Sequence, residues 1–129
     1  MTADEPDKFL PGRHLIEGFG DGGFRFGGMS HQGSLLIVPS GMRALPVKDV
    51  GSLKPEHLSL LVAEKSEIDF VLIGVGGKIG PLPKAVRELL SAAAINYDVM
   101  DTRAAARTYN VVLAEDRRVA AVLLAVEDV

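Results

Sequence analysis

No cysteine occurs anywhere in the 129 residues. That absence excludes disulfides, thiolate nucleophiles and cysteine-ligated zinc or iron–sulfur centres. Basic blocks are missing too. The 14 Lys and Arg residues stand against 17 Asp and Glu, for a net charge of −3, which offers little attraction to a nucleic-acid backbone. No apolar run approaches the ~20 residues of a membrane span, so no transmembrane segment is expected. The opening Met1-Thr-Ala-Asp-Glu-Pro-Asp-Lys8 has neither the basic and apolar regions of a secretory signal nor the Arg/Ser-rich, acid-poor character of a mitochondrial presequence. A cytoplasmic location is the corresponding expectation. His14, His31 and His57 lack metal-type spacing, so no metal site is assigned. The carboxylates are scattered, and no acid–base pair, catalytic residue or cofactor is nominated.

What is present reads as one folded domain. The apolar fraction of 47% and charged fraction of 24% are ordinary globular values. A chain of this length hides roughly two-thirds of its surface on folding. Residues 1–12 are expected to be a flexible tail and 13–129 a single α/β domain.

The amino-terminal half is β-rich. His14–Gly20 and Phe24–Phe26 read as strands around Gly20-Asp-Gly-Gly23, a cluster suited to a tight reversal. Gly28-Met-Ser-His-Gln-Gly33 fails the G-x-S-x-G nucleophile pattern, since Gln32 takes the last place, and it reads as a polar β-turn. Leu35–Val38 and Met42–Val47 are strands, the latter terminated or placed at an edge by Pro46. From Pro55 the period becomes helical, with Leu58, Leu61 and Val62 at i, i+3, i+4. Phe70–Val75 is a strand apolar on both faces. A helix opened by Pro83, a strand at Tyr97–Met100, a helix from Thr102 to about Ala114 and a strand at Val119–Val126 complete a βαβαβ half. The predicted architecture is a compact three-layer β/β/α domain with a mixed central sheet.

Two segments concentrate the groups able to bind something. Gly74-Val-Gly-Gly-Lys-Ile-Gly80 follows a strand and precedes a helix, where backbone N–H groups meet anions. It does not complete G-x-G-x-x-G, because Ile79 stands at the third glycine position and Pro81 and Pro83 remove donors. The favoured reading is a tight strand-to-helix turn that needs backbone flexibility, ahead of nucleotide binding. The second segment is Met100-Asp-Thr-Arg-Ala-Ala-Ala-Arg-Thr-Tyr-Asn110, with Glu115-Asp-Arg-Arg118 just after it. Asp101 or Thr102 caps the helix. Ala105, Ala106, Tyr109, Val112 and Leu113 share one face, with Arg103, Arg107 and Asn110 opposite. This is a capped amphipathic helix. The functional alternative makes it the border of a polar cleft at the carboxyl end of a strand, the usual ligand position in an open α/β sheet, with an arginine reaching in.

Ile68–Gly76, Val99–Asn110 and Glu115–Val119 together resemble the hallmark segments of the Mth-type domain family. That family includes the adipogenesis-associated Mth domain proteins and the mitochondrial respiratory complex I assembly factor three. The resemblance runs from His14 onward and implies two β layers with helices on one side. It carries over Gly74, Gly76, Thr102, Thr108, Tyr109, Asn110 and Arg117 as positions matching the motif; Asp101 joins them as a cleft residue by its place at the helix start. Ala106 stands where many members have Cys, and Val75 where Thr is common. The resemblance implies no enzyme activity and points to a protein partner. The expectation is a non-catalytic binding domain, an assembly factor related to those of complex I. The alternative is a small-molecule or anion-binding protein, or an enzyme, whose cleft lies between the Gly76–Gly80 loop and the Thr102 helix start.

Overall fold

A computed structural model describes residues 9–126. Strand β1 (Phe9–Pro11) opens the described chain, so the expected tail is paired from residue 9 on; its first eight residues lie outside the described range. Strands β2 (Ile16–Gly20), β3 (Gly23–Phe26) and β4 (Met29–Gln32) form a three-stranded antiparallel sheet. The β2–β3 reversal uses Asp21 and Gly22, both at positive φ (54° and 78°), the left-handed pair that matches the twist of a two-residue hairpin. Strand β4 corrects the expected polar turn at Ser30-His31. The turn falls earlier, at Gly27–Gly28, and His31 is turned inward, bonding the Ser34 carbonyl at 2.9 Å.

Strands β5 (Ser34–Val38) and β6 (Gly41–Leu45) make a second hairpin, and Pro46 ends β6 as expected. The helix predicted from Pro55 begins as a 3₁₀ turn (Pro55–Leu58) and becomes the five-residue α1 (Ser59–Ala63). Strand β7 (Phe70–Gly74), α2 (Lys84–Ala92), β8 (Tyr97–Met100), α3 (Thr102–Ala114) and β9 (Val119–Leu123) follow. The large sheet is mixed, in the order β1-β6-β5-β9-β7-β8, parallel only among β9, β7 and β8. β5, β9 and β7 lie side by side within it and bury residues on both faces, which explains why they are almost wholly apolar.

Side-chain alternation divides the core in two. Leu36, Val38, Val71, Ile73, Ala120 and Val122 face α2 through Val86 and Leu90. Leu35, Ile37, Leu72, Val119, Ala121 and Leu123 face α3 together with Phe24 and Phe26 of the small sheet. The helices therefore lie on both faces, which corrects the arrangement the resemblance implied. Chain direction is the cause. The β7–α2–β8 connection steps outward and β8–α3–β9 steps back across β7, so two right-handed crossovers must use opposite faces. The result is a single mixed α/β domain in which α3 shares the outer β layer.

Candidate functional site

The three parallel strands end at one rim, and β7 and β8 send their connections to opposite faces. That is the switch point where an open α/β sheet usually holds its ligand. Gly74, Gly76, Asp101 and Thr102 meet there. Asp101 caps α3 by accepting from the Ala104 N–H at 2.9 Å. Thr102 is fully buried. Its hydroxyl donates to the Leu124 carbonyl at 2.7 Å and accepts from the Gly76 N–H at 2.9 Å, while its own N–H donates to the Gly76 carbonyl at 2.9 Å. One threonine thus joins the ends of β7 and β9 to the start of α3. Gly74 permits this closeness, because a Cβ there would lie 2.8 Å from Thr102 Cα. Outside these bonds the rim keeps a hollow of about 120 Å³ lined by Gly76, Gly77, Asp101, Arg103 and Val126, below the few hundred Å³ typical of ligand sites.

The remaining predicted residues lie away from this rim. Thr108 is half-buried, its hydroxyl 3.8 Å from Met100 Sδ. Tyr109, fully buried, donates to the His14 carbonyl at 2.9 Å. Asn110 does not join the solvated Arg103–Arg107 face. It turns onto β2, its Oδ1 accepting from the Ile16 N–H at 2.7 Å and its Nδ2 donating to the Ile16 carbonyl at 2.8 Å. In effect the side-chain amide supplies the missing neighbour of an edge strand. Arg117 sits at the other end of β7, its guanidinium 5.5 Å from the centre of the Phe70 ring. Arg118 beside it pairs with Asp69 at 2.9 Å and holds that exposed carboxyl below its ordinary range. Phe70 and Gly74 are separated by the length of the strand, about 13 Å, so Arg117 does not share a cleft with Thr102.

Burial pushes the Tyr109 phenol well above its ordinary value, with Arg13 opposing weakly. The neutral form is the one the fold holds. Stability is therefore complete below the unfolded pKa of about 10 and falls above it, where only the unfolded phenol ionises, by about 1.4 kcal/mol per pH unit. Urea unfolding between pH 9 and 11.5 is expected to lose that much of its slope in Tyr109→Phe. An unchanged slope removes the burial account.

A larger depression of about 590 Å³ went unsuspected in the sequence. It lies where the two sheets meet, lined by Asp21, Gln32, Ser34, Leu45, Val47, Lys48 and Ala125 among others. Its walls come from four separated segments with no shared motif. The one local signal was Ser34 within an apolar strand; its hydroxyl donates to the Val47 carbonyl at 2.6 Å and accepts from the Ala125 N–H at 2.9 Å.

A structure described as an outer membrane protein from Bartonella henselae is 45% identical, with a TM-score of 0.87, covering 92% of this chain and 99% of its own. A Mth938-like domain of Bordetella pertussis is 26% identical, with a TM-score of 0.73, covering 89% and 87%. NADH dehydrogenase [ubiquinone] 1 alpha subcomplex assembly factor 3 of Drosophila melanogaster is 28% identical over 113 residues. That is 85% of this chain, which spans only 58% of the fly protein's length. No helix among the described residues is long and apolar enough to cross a membrane. A family model matches residues 16–124, the range that holds every bond of the Thr102 and Asn110 clusters, and the chain belongs to that Mth-type family, described as protein of unknown function (DUF498/DUF598).

Proposed function

We propose that the chain is a non-catalytic binding domain of the cytoplasm that holds a protein partner while a membrane or respiratory complex is assembled. The observation that carries this reading is how the rim is spent. Thr102 and Gly76 bond each other, Thr102 also holds the carbonyl at the end of β9, and Asp101 is committed to capping α3, while Tyr109 and Asn110 satisfy the chain at residues 14–16. Polar groups already paired inside the fold have little left for a small ligand. The assembly-factor relative supports a partner that is a protein.

The rival is a small-molecule or anion site, or an enzyme, on the Gly76–Gly80 loop and the Thr102 helix start. Arg103 beside the Gly76 and Gly77 backbone is the feature that favours it. Two measurements separate the readings. Affinity purification from a native host under gentle conditions is expected to recover a stable stoichiometric partner. Thermal-shift screening with nucleotides, acyl compounds and inorganic anions is expected to leave the midpoint unmoved, since a ligand of the folded state raises stability by RT ln(1 + [L]/Kd). A saturating shift with no recoverable partner reverses the choice.

A further inference from the structure

Strand β8 ends the large sheet and, among the described residues, pairs only with β7. Two bonds fix which way its backbone groups turn. The Val71 N–H donates to the Asn96 carbonyl at 2.9 Å and the Val75 N–H to the Met100 carbonyl at 3.0 Å. Alternation then directs the N–H and C=O of Asn96, Asp98 and Met100 toward β7, and those of Tyr97 and Val99 outward. In the register Tyr97 lies beside Val71 and Val99 beside Ile73, on the α2 side of the sheet. There both side chains line a groove of about 360 Å³ with Ile79, Pro81, Leu82 and Arg87; Ile79 is 67% exposed. The same two residues thus offer open backbone groups at the edge and apolar walls above it, the two elements of recognition by strand addition.

Asp98 selects the occupant. It is exposed, points to the opposite face and forms no ion pair among the described residues. A two-fold antiparallel pairing of β8 with a second copy that used all the outward groups would set Tyr97 against Val99 and Asp98 against its own counterpart, a like-charge pair at close range. Neither offset register is a full substitute. Centring on Tyr97 calls on the Ile95 N–H, which already donates to the Leu90 carbonyl at 3.0 Å. Centring on Val99 calls on Asp101, whose carbonyl and side chain are both committed to α3.

We propose that the β8 edge takes an extended segment of a partner protein as a further strand, with a lysine or arginine beside Asp98 and apolar residues on either side of it over the Tyr97–Val99 groove. This rests on the protein-binding reading and names its surface.

The test uses the whole chain, labelled for amide NMR, and two capped pentapeptides, threonine–valine–lysine–valine–threonine and its glutamate counterpart. The lysine peptide is expected to give saturable shifts centred on residues 95–100 and 79–82, and to bind about fivefold more tightly than the glutamate peptide. Asp98→Lys is expected to reverse that preference. Val99→Pro removes an N–H that faces away from β7 and takes no part in the pairing of the sheet among the described residues, a position where an edge strand tolerates proline; it is expected to keep the native spectrum and lose the peptide. Should that variant unfold, Asp98→Lys still decides. Absence of β8 shifts at millimolar peptide, equal affinity for the two peptides, or sedimentation showing a dimer that Val99→Pro abolishes, each overturns the proposal. A purified partner that Val99→Pro still retains sinks the edge but leaves the protein-binding reading standing. Peptide binding at β8 with no partner recovered does the reverse.

Discussion

Thr102→Val is expected to cost about 2–4 kcal/mol of folding stability, read from urea unfolding. Valine keeps the shape of threonine, so packing around the site changes little. What goes is the hydroxyl, and with it the partner of the Leu124 carbonyl and of the Gly76 N–H. Unpaired backbone groups cost about 1–3 kcal/mol each where water cannot replace the lost partner. Thr102 is fully buried, and Gly74 behind it leaves no room for relaxation. Thr102→Ser keeps both bonds and loses one methyl, so its cost is expected near 1 kcal/mol. If valine proved no worse than serine, the hydroxyl would not be what ties the strand ends together.

Asn110→Ala is expected to cost about 2–3 kcal/mol and to act at a distance along the chain. Its amide is the partner of both the N–H and the carbonyl of Ile16. Ile16 is buried against the α3 side of the core and registers with Phe26 of β3. Losing two side-chain bonds to a strand edge leaves both Ile16 groups to find water. Amide exchange at Ile16 and Phe26 should therefore accelerate more than at the middle strands β5 and β9. Asn110→Asp is expected to fall between, because a carboxylate still accepts from the Ile16 N–H but repels its carbonyl. Uniform acceleration across both sheets would instead mean that α3 itself had come loose. Loss of a partner in Asn110→Ala consequently reports a loosened β2, whereas loss in Val99→Pro reports the edge itself.

Much of the site was legible because its logic is local. A residue able to cap, followed by small residues at helical spacing, predicts a helix beginning at Thr102 and lying close to a sheet, and α3 runs from Thr102 to Ala114. Of the two candidate caps, Asp101 and Thr102, the N-cap is Asp101, and Thr102 is the first residue of the helix. What could not be read was the destination of each polar side chain. Asn110 falls on the outer arc of a helical projection, yet a second sheet built from residues 16–32 comes within its reach. Arg117 follows α3 directly, yet α3 carries the chain back to the far end of β7. The strand at Met29–Gln32 is hidden for a related reason: in so short a segment the two side chains that turn inward are Met29, only partly buried, and the polar His31, which leaves no run of apolar alternation to read.

Residue pattern alone determined the class of the molecule, the order of its helices and strands in the carboxyl-terminal half, and the exclusion of thiol chemistry, because periodicity, caps and composition act within a few residues of one another. Tertiary structure alone decided that α2 and α3 lie on opposite faces, that Thr102 bonds across the rim to the ends of β7 and β9, and that Tyr97 and Val99 stand on the last strand of the sheet. Those outcomes depend on the direction in which each crossover returns and on which strand comes last in the sheet, and no local spacing of residues encodes either.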